Sequence, residues 1–186
     1  MNTHSQTYNQ RADRFGEVVD RVAADSWSAQ SPCEKWTAAD VVDHVIDSQR
    51  DFCSRHDVRL GARPEGTPRQ AWHAHVAAVG DALGDGALLD TEFDGYFGPT
   101  TLGDTLADFY GFDMIVHRWD LARATGQEAE FTEAEMDLLE ASIAGFGEHL
   151  YADGVCAPAV PVAAGAPRQQ RLLGTLGRGS TGSTGG

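Results

Sequence analysis

Between Thr101 and Thr125 apolar residues recur at the spacing of an α-helix, and Asp113, His117 and Asp120 fall on the apolar side of it. At about 100° per residue, with Asp113 at zero, Leu102, Leu106, Phe109, Tyr110, Val116, Leu121 and Ala124 lie within about 80° of it. His117 then sits at about 40° and Asp120 at about −20°, so all three polar groups project into the interior. Buried charge is costly unless a partner compensates it. Any fold of this chain must bury this helix and supply that partner.

The remaining segments are also helical in period. Apolar Tyr8, Phe15, Val18, Val19 and Val22 predict a first helix over residues 6–24. Thr37 followed by Asp40 has the form of a capping box, which starts a second helix carrying Ala38, Val41, Val45 and Phe52 on one face. Thr67 and Pro68 open a third helix, in which His73 and His75 read as solvent-facing. A Gly-rich stretch with a short extended piece around Thr91–Phe93 leads into the fourth helix, which Gly126 ends. Thr132 and Glu135 cap a fifth helix whose acidic residues form a solvated face, and a short helix is expected within residues 167–178. Four or five helices of roughly 18 to 25 residues with short connections predict an all-α protein, an antiparallel helical bundle with short extra helices. A single domain over residues 1–178 and a flexible Gly/Ser/Thr tail over 179–186 are expected.

Composition narrows the partners. The formal net charge of −14 repels phosphate backbones and anionic lipid, so neither nucleic acid nor a membrane is expected. No apolar run approaches the roughly 18 residues of a membrane span, and the polar N-terminus lacks the apolar core of a secretory signal. A cytoplasmic protein is the expectation. Cys33, Cys53 and Cys156 are odd in number and far apart, which suits reduced structural thiols rather than a disulfide framework. Bundles that expose Leu and Phe often pair, so a homodimer is also among the expected partners.

Asp113 and His117 are four apart and stack on adjacent turns, where a carboxylate and an imidazole can bind one metal ion. The same spacing serves a salt bridge or an acid/base pair, and spacing alone does not choose. His44, at the edge of the second helix's apolar stripe, is the best candidate for a third ligand. Two imidazoles and a carboxylate with an open position would be the arrangement of a catalytic zinc site. Arg123 follows Asp120 by three and is placed to pair with it, while Trp36 and Trp119 are packing aromatics or substrate platforms.

Two blocks then carry a resemblance. The stretch Ser31–Val45, "SPCEKWTAADVVDHV", and the stretch Asp113–Gln127, "DMIVHRWDLARATGQ", resemble paired motifs of the DinB-like superfamily, in the branch related to mycothiol-dependent maleylpyruvate isomerase. The closing segment from Ala157 to Arg178 is similar as well, so the likeness spans nearly the whole chain. The resemblance implies a four-helix bundle of up-down-down-up connectivity and a divalent metal, zinc or nickel, held by His44, Asp113 and His117. The acidic position is a glutamate in the characterised isomerases and the shorter Asp113 here. It further implies a low-molecular-weight thiol such as mycothiol as cofactor, a small electrophilic substrate, and S-transfer or isomerisation as the reaction. Asp120 and Arg123 would support the ligands, and Trp36 and Trp119 would border the substrate. Two alternatives remain at this level: a metal-independent biosynthetic isomerase or cyclase using Asp113 and His117 as an acid/base pair, and a non-catalytic metal-binding stress-response module.

Overall fold

The computed structural model describes residues 3–84, 86–96, 98–152 and 155–179. Most of the expected tail, residues 180–186, lies outside them. The chain divides between Ala129 and Glu130 into two compact units.

The first unit holds α1 (Thr3–Arg21), α2 (Ala38–Arg55), α3 (Pro68–Ala82), a one-turn α4 (Gly86–Leu89), a hairpin of β1 (Glu92–Gly95) and β2 (Gly98–Thr101), a short α5 (Leu102–Asp104), a π-helical turn (Thr105–Phe109) and α6 (Tyr110–Ala124). Helices α1, α6, α2 and α3 close a ring in which each packs on the next, the four-helix core of an all-α fold. The second unit holds α7 (Glu133–Phe146), a 3-10 turn (Gly147–Tyr151) and α8 (Arg168–Thr175), with α7 packed on α8. Arg168 bridges Glu133, Asp137 and Glu140, which lie along one face of α7, at 2.6–2.8 Å. Among the described residues no helix is long and apolar enough to cross a membrane.

Local chemistry sets the helix starts. Thr37 and Asp40 form the full capping box, with the Asp40 carboxylate accepting the Thr37 N–H at 2.8 Å, so α2 begins at the expected residue. Thr67 and Gln70, and Thr132 and Glu135, do the same for α3 and α7. At the end of α6, Gly126 adopts φ 70° and lets the Gln127 N–H reach the Ala122 carbonyl at 2.8 Å. Helix α1 starts earlier than its apolar pattern suggests, because Ser5 donates to the Leu83 carbonyl at 3.3 Å and Tyr8 is fully buried, which fastens its first turn to the core.

Three sequence expectations are corrected. The fourth helix does not run unbroken from Thr101: that residue ends β2, which pairs antiparallel with β1 (Glu92 opposite Thr101), and its hydroxyl caps Asp104 at 3.0 Å. Downstream, the π-helical turn inserts a residue into the helical period. Phe109, which an ideal wheel puts on the apolar stripe, is accordingly 38% exposed. Arg11 donates to the Ala107 carbonyl in this turn, and its guanidinium lies where a Cβ at Gly111 would fall, so a larger residue there would push the arginine aside. The third correction is His75. Read as solvent-facing, it is fully buried, because Trp72, His75 and Val79 share the inner face of α3. His73 does face solvent and pairs with Asp20 at 2.7 Å.

Helix α6 is buried nearly all round rather than along one stripe: Phe112, Met114, Ile115, Val116, Leu121 and Ala122 are all in the core. Each such aliphatic burial contributes about 1.5–3 kcal/mol, which is what holds the polar residues of the same helix out of water.

Candidate metal centre

The site forms where α2 and α6 face each other. The capping box at Thr37 sets the phase of α2, and seven residues on this places His44 towards α6, its side chain one-third exposed. From α6, Asp113 and His117 project one turn apart onto the same face. Asp113 Oδ1 lies 3.5 Å from His44 Nε2 and 3.3 Å from His117 Nε2. The three potential ligand atoms lie within 4.8 Å of one another. Trp36 closes one side, its ring centroid 4.5 Å from that of His44 and 5.5 Å from that of His117.

The far nitrogen of His117 is engaged too. His117 Nδ1 lies 2.9 Å from Oδ2 of the fully buried Asp120, so the ring is held between two carboxylates on its own helix. Burial alone would lower the His117 pKa, but Asp113 and then Asp120 reverse that and hold it well above its usual value. Burial also opposes ionisation of Asp113, and the two imidazoles outweigh it, leaving its carboxyl well below the usual carboxylate range.

One atom in this cluster lacks a partner. Among the described residues, Asp113 Oδ2 is buried and makes no hydrogen bond. An ionised carboxylate with one oxygen facing two imidazole nitrogens and the other unsatisfied is a donor set that a divalent cation completes, since imidazole and carboxylate are its ordinary ligands. The residues present therefore fit a zinc- or nickel-type ion, with Asp120 turning His117 so that Nε2 faces the site.

Of the residues picked from sequence, His44, Asp113, His117, Asp120 and Trp36 converge. Trp119 is half-buried, and the exposed Arg123 lies over its ring with the guanidinium carbon 5.8 Å from the centroid, a cation–π pair. One residue was missed. Cys33 donates from Sγ to Asp120 Oδ2 at 3.4 Å and forms a second cluster with His117 and Asp120. It arrives from a turn rather than a helix, so no periodicity points to it; the available signal was its position three residues before Trp36.

A model of the family described as the mycothiol maleylpyruvate isomerase N-terminal domain matches residues 8–122, a span that contains every residue of this cluster. Two proteins of Mycobacterium tuberculosis, from strains CDC 1551 / Oshkosh and ATCC 25618 / H37Rv and both described as uncharacterized, are each 30% identical over 177 residues, covering 91% of this chain and 95% of the relative. No solved structure matches. With a helical fold and a motif-bearing pair of helices that agree with that match, the chain belongs to the mycothiol maleylpyruvate isomerase N-terminal domain family, in the DinB-like superfamily.

Proposed function

We propose that this protein is a metal-dependent enzyme that uses a low-molecular-weight thiol of the mycothiol type on a small electrophile, either retaining the new thioether as an S-transferase or releasing the thiol as an isomerase. The observation that carries the reading is the convergence of His44 Nε2, His117 Nε2 and Asp113 Oδ1, with Asp113 Oδ2 buried and unpartnered beside them. A divalent cation bound there lowers the pKa of a coordinated thiol or water, which supplies a nucleophile near neutral pH.

The chain's own contributions follow from its contacts. Asp113 lies within 3.5 Å of both imidazoles and would offset part of a bound cation's charge. Asp120 accepts from His117 Nδ1 and so reserves the Nε2 lone pair for the site. Trp36 packs on both imidazoles and excludes water from that side. His44 and Asp113, at 33% and 22% side-chain exposure, form the open edge through which thiol and electrophile would enter.

Elemental analysis of the untagged protein beside His44→Ala and His117→Ala tests the metal. About one divalent ion per chain, lost in both variants, is expected for a three-ligand site, followed by turnover of electrophiles only when thiol is supplied. No metal after incubation with zinc or nickel overturns the reading. The close His117–Asp113 contact would then be assigned as an acid/base pair, with full activity in chelator and a bell-shaped pH profile.

A further inference from the structure

We infer that Cys33 is a positioning residue for the candidate metal site: its thiol, with His117, fixes the buried Asp120 carboxylate and thereby sets the orientation of the His117 ring. Asp120 Oδ2 receives two contacts, from Cys33 Sγ at 3.4 Å and from His117 Nδ1 at 2.9 Å. Asp120 is fully buried, so in the folded protein its carboxylate takes its hydrogen bonds from the chain. Each donor to Oδ2 restricts the carboxylate's last torsion and, through it, the imidazole. Donors that arrive from different segments of the chain restrict it from different directions.

The segment that delivers Cys33 is itself fastened. Ser31 Oγ accepts the Cys33 N–H at 3.1 Å, the Trp36 N–H donates to the Cys33 carbonyl at 2.9 Å, and the Ser31 N–H donates to the Trp36 carbonyl at 2.9 Å. The Gln30 amide donates to the carbonyls of Cys33 and Trp36 at 3.1 and 2.9 Å. One turn therefore holds the ring of His117 twice, through Trp36 on its face and through Cys33 and Asp120 at its Nδ1 edge. A thiol suits the second task. Its long C–S bond reaches the carboxylate from the turn, and as a weak donor it leaves most of the Asp120 negative charge directed at His117.

The affinity consequence rests on the metal reading above; the ring-orientation consequence does not. The test uses the full chain and its Cys33→Ala and Cys33→Ser variants, with Asp120→Asn as reference. In the metal-free proteins, NMR of ring-labelled histidine should show a His117 Nδ1–H that exchanges slowly in wild type, faster in Cys33→Ala, at an intermediate rate in Cys33→Ser, and fastest in Asp120→Asn. Cobalt titration in competition with a chromophoric chelator should show Cys33→Ala binding about tenfold more weakly, within the range for outer-shell partners of a metal ligand. The cobalt spectrum of wild type should lack a thiolate charge-transfer band. Exchange at His117 unchanged in Cys33→Ala overturns the inference whether or not metal binds, and a thiolate band overturns it by making Cys33 a ligand. Wild type that binds no cobalt but shows the exchange series sinks the metal reading and leaves the positioning role standing.

Discussion

His117 and His75 are both buried histidines in the same four-helix unit, and burial acts on both in the same direction. Their fates are opposite. His75 Nε2 meets a neutral acceptor, Gln49 Oε1 at 3.0 Å, which also receives the Tyr8 hydroxyl at 2.6 Å. Burial, with Arg50 adding to it, pushes its pKa down to about 3, so the ring is neutral across the physiological range. His117 has a carboxylate at each nitrogen and is pushed up instead. Burial of a histidine therefore does not mark a site; the charge type of its partners does. An amide makes a piece of core, whereas two carboxylates make a cluster that favours positive charge at the ring, whether from a proton or from a divalent cation.

The widest separation of the two clusters is expected in metal affinity. Asp113→Ala should weaken zinc binding by more than about 100-fold, beyond the loss typical of outer-shell partners, while His75→Gln leaves it unchanged in the same competition titration. Equal losses in both would mean that the clusters form one network. Next comes stability. Gln49→Leu strands the Tyr8 hydroxyl and the His75 N–H in a dry core and should cost about 2–3 kcal/mol in urea unfolding, with metal content intact.

Acid separates the two histidines next. With its folded pKa depressed, His75 takes up a proton only on unfolding, so its contribution is fully present above the unfolded value near 6.5 and is lost as pH falls towards about 3. The loss should reach roughly 1.4 kcal/mol by pH 5.5, read as the difference between wild type and His75→Gln in urea titrations at each pH. A parallel pH dependence in the two proteins would show His75 to be protonated in the folded state. The smallest effect is that of Tyr8→Phe, which removes one of two donors to Gln49 Oε1 and should cost about 1 kcal/mol by the same measurement.

Much of this molecule was legible before folding was considered. The capping pairs Thr37/Asp40 and Thr132/Glu135 mark helix starts because a side-chain oxygen three residues from its partner N–H needs no tertiary help. The 100° period of α6 put Asp113, His117 and Asp120 on one face for the same reason. What escaped detection depends on partners distant in sequence. The π-helical turn, met by Arg11 from α1, moved Phe109 off the stripe, and Cys33 reached Asp120 across 87 residues. His75 was misread because a polar residue's burial depends on what waits opposite it, here Gln49 on α2.

The sequence by itself determined the starts of the capped helices, the family, and which residues of α6 could act together, since all of these rest on local spacing or on a shared motif. Tertiary structure alone decided that His44 meets Asp113, that Cys33 and His117 share one carboxylate oxygen, and that the pKa of His75 is pushed down while that of His117 is pushed up. Proton affinity and ligand geometry are set by the few ångströms around a group, and only the packing of α2, α3 and the turn before α2 against their neighbours fills that space.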